Sequence, residues 1–241
     1  MKTKLYSFAA ALLLSGTSAF ACNDSLKCKL DDDQGFHFWE GFDIGVNGFM
    51  TNNYKIETPE GYDFLDLDYA RSHSFSWNIA QHNFHIAGDH VNLVTGLGLE
   101  WNSYAFRQNI SLATNAATVT PIYESTDFTK NKLRTAWLNV PLMIEFNTSK
   151  DEDHDFHFAA GVIGGYNVFR NRMIQEYEVN GDEQKFKTKD DYNVNPFRYE
   201  LTARVGYGNF SFFGNYSMGE FFKPNRGPVV HPFTLGVTIG L

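Results

Sequence analysis

Phe233-Thr234-Leu235-Gly236-Val237-Thr238-Ile239-Gly240-Leu241 alternates without a break: every odd position is apolar and every even one is threonine or glycine. Successive side chains of a strand point to opposite faces, so this stretch is a strand with one apolar face and one small, polar face. Residues 197–207 read the same way. Phe197, Tyr199, Leu201, Ala203, Val205 and Tyr207 oppose Arg198, Glu200, Thr202, Arg204 and Gly206, so one face carries no charge and the other carries three.

Working outward from these two segments, the pattern recurs along the chain. Strand 1 is expected over about 36–50, where Phe42, Ile44 and Val46 oppose Gly41, Asp43, Gly45 and Asn47. Strand 2 follows over about 71–86; the phase shared by Phe75, Trp77 and Ile79 slips before Phe84 and Ile86, which predicts a β-bulge near Gln81. Strand 3 sets Val91, Leu93, Leu97, Leu99 and Trp101 against Asn92, Gly96, Gly98, Glu100 and Asn102. Strand 4, about 133–146, sets Leu138, Val140, Leu142, Ile144 and Phe146 against Asn139, Pro141 and Glu145; strand 5, from Phe156, sets Phe158, Val162, Tyr166 and Val168 against Gly161, Gly165 and Asn167. Strands 6, 7 and 8 are expected at about 195–207, 210–218 and 232–241. Pro141 and Pro232 have no ladder donor, so each belongs at an irregularity or a strand end.

Long connections follow strands 1, 3, 5 and 7, and short turns follow strands 2, 4 and 6. This alternation of long outer loops and short inner turns belongs to outer-membrane barrels. The expected fold class is therefore all-β, an eight-stranded antiparallel up-and-down transmembrane β-barrel. Alternation alone does not say whether the apolar face points outward to lipid or inward, as in a soluble barrel. The polar face decides for lipid outside: it carries Gly41, Gly45, Gly96, Gly98, Gly161, Gly165, Gly206, Gly236 and Gly240, small residues that suit a crowded lumen rather than a solvated exterior. An arginine facing mid-membrane lipid would cost about 2–4 kcal/mol, and none lies on the apolar faces quoted. Trp39, Tyr69, Trp101, Tyr104 and Tyr207 fall near strand ends and are expected in interfacial girdles.

The 241 residues suit one domain, and 16% aromatic residues against 7 prolines favour strands. Met1-Lys2-Thr3-Lys4, an apolar run from Leu5 to Leu14 and Ala19-Phe20-Ala21 form a charged, an apolar and a cleavage region, so residues 1–21 read as a signal peptide. Residues 22–35, with Asp31-Asp32-Asp33, read as a periplasmic tail and 36–241 as the barrel. Cys22 follows the cleavage site, which raises lipidation, although Ala19 stands where lipoprotein signals usually carry leucine. A Cys22–Cys28 disulfide and two separate thiols both remain open. Beyond the signal peptide no run of apolar residues is long enough for a membrane helix, which says nothing against strands. A net charge of −8 argues against a nucleic-acid partner.

Leu93-Val94-Thr95-Gly96-Leu97-Gly98-Leu99-Glu100-Trp101-Asn102, Leu138-Asn139-Val140-Pro141-Leu142, Ala159-Ala160-Gly161-Val162-Ile163-Gly164-Gly165 and Asn195-Pro196-Phe197-Arg198-Tyr199 resemble the PorT-like outer-membrane β-barrel proteins of Bacteroidota. The resemblance covers roughly residues 36–241 and rests on strand motifs. It implies an outer-membrane location, with some relatives associated with secretion machinery, and brings no catalytic or ligand-binding residues with it.

Candidate chemistry is sparse. Ser72, His73 and Ser74 invite a hydrolase reading, but His73 points away from both serines in a strand, so no local nucleophile and base meet. His154 and His157 flank an acidic turn, Asp151 to Asp155, that reads as solvated charge rather than a metal site. Gly96-Leu97-Gly98 lacks the third glycine and the helix of a nucleotide fingerprint. No catalytic residue, metal ligand or cofactor is expected. The one constellation that stands out is structural: Asp43, Glu100, Glu145, Arg198, Glu200 and Arg204 share the inferred lumen face, where unpaired charge is costly, and are expected to pair across it. Eight strands enclose an interior that side chains fill. The expected protein is a non-enzymatic structural or interaction module with both termini periplasmic. Its expected partners are outer-membrane lipid and other outer-membrane or secretion-machinery proteins. The alternative is a lipid-modifying enzyme or a narrow transporter.

Overall fold

In the computed structural model, described for residues 39–87, 90–148, 156–179 and 181–240, the chain forms β1 (Gly41–Met50), β2 (His73–Ala87), β3 (Val91–Ala105), β4 (Ile110–Leu112), β5 (Pro121–Tyr123), β6 (Lys130–Asn147), β7 (Phe156–Asn167), β8 (Asn171–Val179), β9 (Asp182–Asp190), β10 (Phe197–Tyr207), β11 (Phe210–Ser217) and β12 (His231–Gly240). All pairings are antiparallel. Strands β1, β2, β3, β6, β7, β10, β11 and β12 follow one another around a ring, and β1 closes it against β12 from Gly41↔Gly240 to Met50↔His231. These are the eight strands expected from the alternation. The signal peptide, the tail with Cys22 and Cys28, and residues 36–38 lie outside the described residues.

The alternation maps onto the ring as the lipid-out reading requires. On β12, Leu235 is 61% exposed on the outer wall while Thr238, facing in, is 1% exposed. The phase slip of β2 is a register shift between Asn78 and Ala80, two residues before the expected position. Pro141 lies opposite Ile163 on one side; on the other, the β3–β6 register passes from Gly98↔Asn139 to Thr95↔Leu142, and Thr95 Oγ1 donates to the Pro141 carbonyl at 2.9 Å. The missing donor therefore faces an interruption of the ladder. Pro232 occupies the second residue of β12, a strand end.

The start of strand 1 and two of the expected girdle residues are corrected. Strand 1 begins at Gly41, so Trp39 and Glu40 precede the strand; Trp39 is 1% exposed, inside the ring rather than in a girdle. The long connections are not plain loops. They contain β4 and β5, paired with each other, and the β8–β9 hairpin, which extends the sheet along the first residues of β6 from Arg134↔Arg172 to Lys130↔Glu176. Together they build a hydrophobic core over the long-loop end: Phe64, Leu65 and Leu67 from the β1–β2 connection, Ile110 and Leu112 from β4, and Phe221, Phe222 and Val230 near β12. Tyr104, expected in a girdle, is buried in this cap, with its ring 4.7 Å from Phe49 and 5.1 Å from Phe221. Apolar residues in the long connections beyond the apolar band cannot turn to lipid, so they bury one another.

Candidate functional site

Every inward position of the ring is near other inward positions, because the interior of eight strands is narrow. The sequence puts two arginines there, both on β10 and separated by an even number of residues, so both point in. Each builds its own cluster.

Arg204 reaches across the lumen to β1. Its Nη2 donates to Asp43 Oδ2 at 2.8 Å and its Nη1 to Asp43 Oδ1 at 3.2 Å, a forked contact in which the planar guanidinium matches the carboxylate. Thr238 Oγ1 donates to Asp43 Oδ1 at 2.7 Å and accepts from Arg204 Nη1 at 2.9 Å, while Asn78 Nδ2 donates to Asp43 Oδ2 at 3.1 Å. The guanidinium carbon lies 4.6 Å from the Trp39 ring centre and 5.1 Å from that of Phe213. Trp39 therefore covers the cation with the face of its ring, a contact strengthened by exclusion of water. It is held there by its own backbone, whose N–H donates to Gln81 Oε1, and by Gln81 N donating to Glu40 Oε1 at 3.0 Å. Its ring also packs with Val94, Met143 and Ile163.

Arg198 organises the second cluster, nearer the cap. Its Nη2 donates to Glu100 and, at 3.2 Å, to Asn139 Oδ1; its Nη1 lies 3.4 Å from Glu200 Oε1. Asn139 Nδ2 donates to Glu100 Oε2 at 2.6 Å, Asn102 also donates to Glu100, and the Trp137 ring covers the guanidinium at 4.4 Å. The stem of Arg198 runs over Gly165, where a Cβ would sit 2.8 Å from its Cγ. Glycine at that position is what lets the arginine lie flat against the wall.

Of the six lumen residues expected to interact, the structure brings Arg204 to Asp43 and Arg198 to Glu100 and Glu200. Glu145 is buried on the same wall, in register with Asn92 and Ala159 toward the short-turn end, and the bonds of the two arginines run to the other carboxylates. Near it is a contact that sequence reasoning missed. His157 Nε2 lies 3.0 Å from Ser211 Oγ, and both residues are buried. They sit on β7 and β11, separated by Gly206 of β10, where a Cβ would stand 2.3 Å from the imidazole. The pair thus bridges two strands over a glycine and is packed too tightly for a substrate to reach the hydroxyl. No period-2 argument finds it, because it depends on which strands become neighbours. Ser72 and Ser74 face in and His73 faces out, so those three do not meet. His154 lies outside the described residues, and the described residues hold no group of histidine, cysteine and carboxylate placed to bind a metal.

A closed eight-stranded ring with hydrocarbon side chains outside and charge inside is built for a bilayer, where every backbone polar group must find an internal partner. The family model for the outer membrane protein beta-barrel domain matches residues 34–219, from before β1 to just past β11. No curated protein and no solved structure matches the chain. The chain belongs to the outer membrane protein beta-barrel domain family, and it is an outer-membrane β-barrel.

Proposed function

We propose that this barrel is a structural and interaction module of the outer membrane, of the PorT-like kind, serving a secretion or assembly machinery as a subunit or accessory, with both termini in the periplasm. The observation that carries this reading is how the lumen is used. Its inward positions are committed to the Arg204–Asp43 and Arg198–Glu100–Glu200 clusters, Trp39 lies in it next to Arg204, and the cap covers the long-loop end. Solute passage would need these contacts to open, and hydrolysis would need a nucleophile that substrate can reach. The surfaces offered to other molecules are then the outer wall and the exterior of the cap.

The test joins two measurements on the full-length protein. Crosslinking and co-purification from native outer membranes are expected to recover a stable complex with other outer-membrane proteins, and planar-bilayer recordings are expected to show no unitary conductance. A reproducible channel would replace this reading with a narrow transporter. Release of acyl chains from bilayer lipid would replace it with an enzyme.

A further inference from the structure

Strand β6 reverses its polarity along its length. From Leu138 to Phe146 its outward residues are Leu138, Val140, Leu142, Ile144 and Phe146; from Ala136 back to Lys130 the same outward positions carry Arg134, Lys132 and Lys130. The inward positions stay mixed along the whole strand, with Asn131, Leu133, Thr135 and Trp137 at one end and Asn139, Met143 and Glu145 at the other, so the reversal belongs to the outward face alone. Hydrocarbon is the solvent of the first segment and water or headgroup that of the second, so the edge of the apolar band falls near Ala136.

The β8–β9 hairpin widens the outward face just beyond that edge. Residues paired across neighbouring strands share a face, which gives three rows: Arg134–Arg172–Lys189, Lys132–Ile174–Lys187 and Lys130–Glu176–Lys185. Seven of these nine positions are cationic and one is a carboxylate, in a chain whose net charge is −8. The concentration of like charge is therefore local rather than a property of the composition. Glu176 is spent within the patch, bonded to both Lys130 and Lys185. Arg134 is oriented by a 3.1 Å bond from Nε to Ser103 Oγ, which leaves its two Nη groups for another acceptor. Partial burial, then the charges of Arg134 and Lys130, hold the Lys132 ammonium below its ordinary pKa. Beside these rows lies a groove of about 670 Å³ lined by Lys130 and Lys132 and by Arg71, Arg107 and Asp68, where Arg71 is paired with Asp68 and Arg107 with Asp66, so among the described residues its unpaired cation is Lys132.

We propose that this face binds the phosphate groups of an anionic lipid whose acyl chains lie against the wall below it. With a rise of about 3.3 Å per residue and a tilt near 40°, the three rows stand roughly 5, 10 and 15 Å above Ala136, which spans the headgroup layer. An acidic soluble partner would meet the same charges, but it has no use for their continuity with an apolar wall, and a lipid has. The lipid is then the outer leaflet's, on the reading above that the long-loop end faces out.

Native mass spectrometry of the full-length protein, titrated with a diphosphorylated lipid A and with the same glycolipid dephosphorylated, tests this. The phosphorylated form is expected to bind at least tenfold more tightly, and the substitutions Lys132→Gln, Lys187→Gln and Lys189→Gln together are expected to remove that preference. Glu176→Gln, which frees Lys130 and Lys185, is expected to tighten binding; because it removes no cation, it remains informative if the triple variant does not fold. Equal affinity for the two glycolipids, or a folded triple variant that keeps the preference, would overturn the proposal. So would inorganic phosphate or polyglutamate binding as tightly as the lipid. Lys187→Cys labelled by a membrane-impermeant maleimide on intact cells checks the orientation separately: labelling only after lysis would move the lipid to the inner leaflet and overturn the outward placement, whatever the lipid titration gives.

Discussion

The ring and the cap of this protein are folded to opposite rules. Within the ring the exposed outer wall is apolar and Asp43, Glu100, Arg198, Glu200 and Arg204 face in, beside a small apolar cluster of Trp39, Val94, Met143 and Ile163; within the cap Phe64, Leu67, Ile110, Phe221 and Phe222 face in and the lysines of β9 face out. The outward face of strand β6 follows both rules, apolar from Leu138 to Phe146 and cationic at Arg134, Lys132 and Lys130. What counts as a core is thus decided by the solvent outside. Against hydrocarbon, burying apolar surface gains little, so the interior must be held by hydrogen bonds and charge pairs; against water the hydrophobic effect takes over.

The comparison predicts different failures in the two regions. The largest effect is expected for Arg204→Met, which leaves Asp43 buried with two side-chain donors and no counter-charge. The barrel should lose about 3–5 kcal/mol. Urea unfolding in lipid vesicles, followed by loss of heat-dependent gel migration, measures it, and adding Asp43→Asn to the same chain is expected to restore most of the loss. An unchanged single variant would mean that the lumen is not held by charge.

A smaller and more local loss is expected in the cap. Ile110 is fully buried in β4, and its carbonyl accepts from Asn131 at 2.8 Å and Gln175 at 3.0 Å, which ties β4 to β6 and β8. Ile110→Ala should destabilise the cap by about 2–5 kcal/mol through lost burial and the cavity left behind. Limited proteolysis of the connections should then accelerate, while the ring keeps its heat-dependent migration. If ring and cap unfold together, they are one cooperative unit.

The smallest effect concerns the cap exterior. Bonds from Lys130, then Lys185, hold the Glu176 carboxyl down to about 2. A carboxylate whose pKa is lower folded than unfolded adds stability that is present above its unfolded value of about 4.3 and lost as pH falls toward its folded one. The protection of the β8–β9 hairpin amides, taken against their intrinsic exchange rates, is therefore expected to fall between about pH 4.5 and 2. The two lysine side chains are about half exposed (46% and 48%), so screening should limit the contribution to under about 1 kcal/mol. Protection that stays flat over this window in the wild type, or that falls equally in Glu176→Gln, would contradict it.

Much of the ring was legible residue by residue. The faces of 197–207 and 233–240 follow from alternation, and the bulge in β2 from a slipped phase, because a period of two is a local property. Other local signals mark the β8–β9 hairpin and the cap. Asn180-Gly181 between alternating segments is a strong hairpin signal, and Gly181 has a φ of +89°, in the left-handed region such turns favour. Phe64-Leu65, Ile110 to Leu112 and Phe221-Phe222 place apolar residues in connections without strand alternation, which is the mark of a second core.

The sequence by itself determined which residues face lipid, which face the lumen, and that charges of both signs share the narrow interior. It did so because each of these depends only on neighbours along the strand. Only the tertiary structure decided that Arg204 meets Asp43 of β1 while Arg198 meets Glu100 of β3, that Trp39 turns inward to cover a guanidinium, and that seven cations on β6, β8 and β9 form one surface. Those contacts join residues far apart in the chain, and their pairing is set by ring closure and strand register, which no local pattern contains.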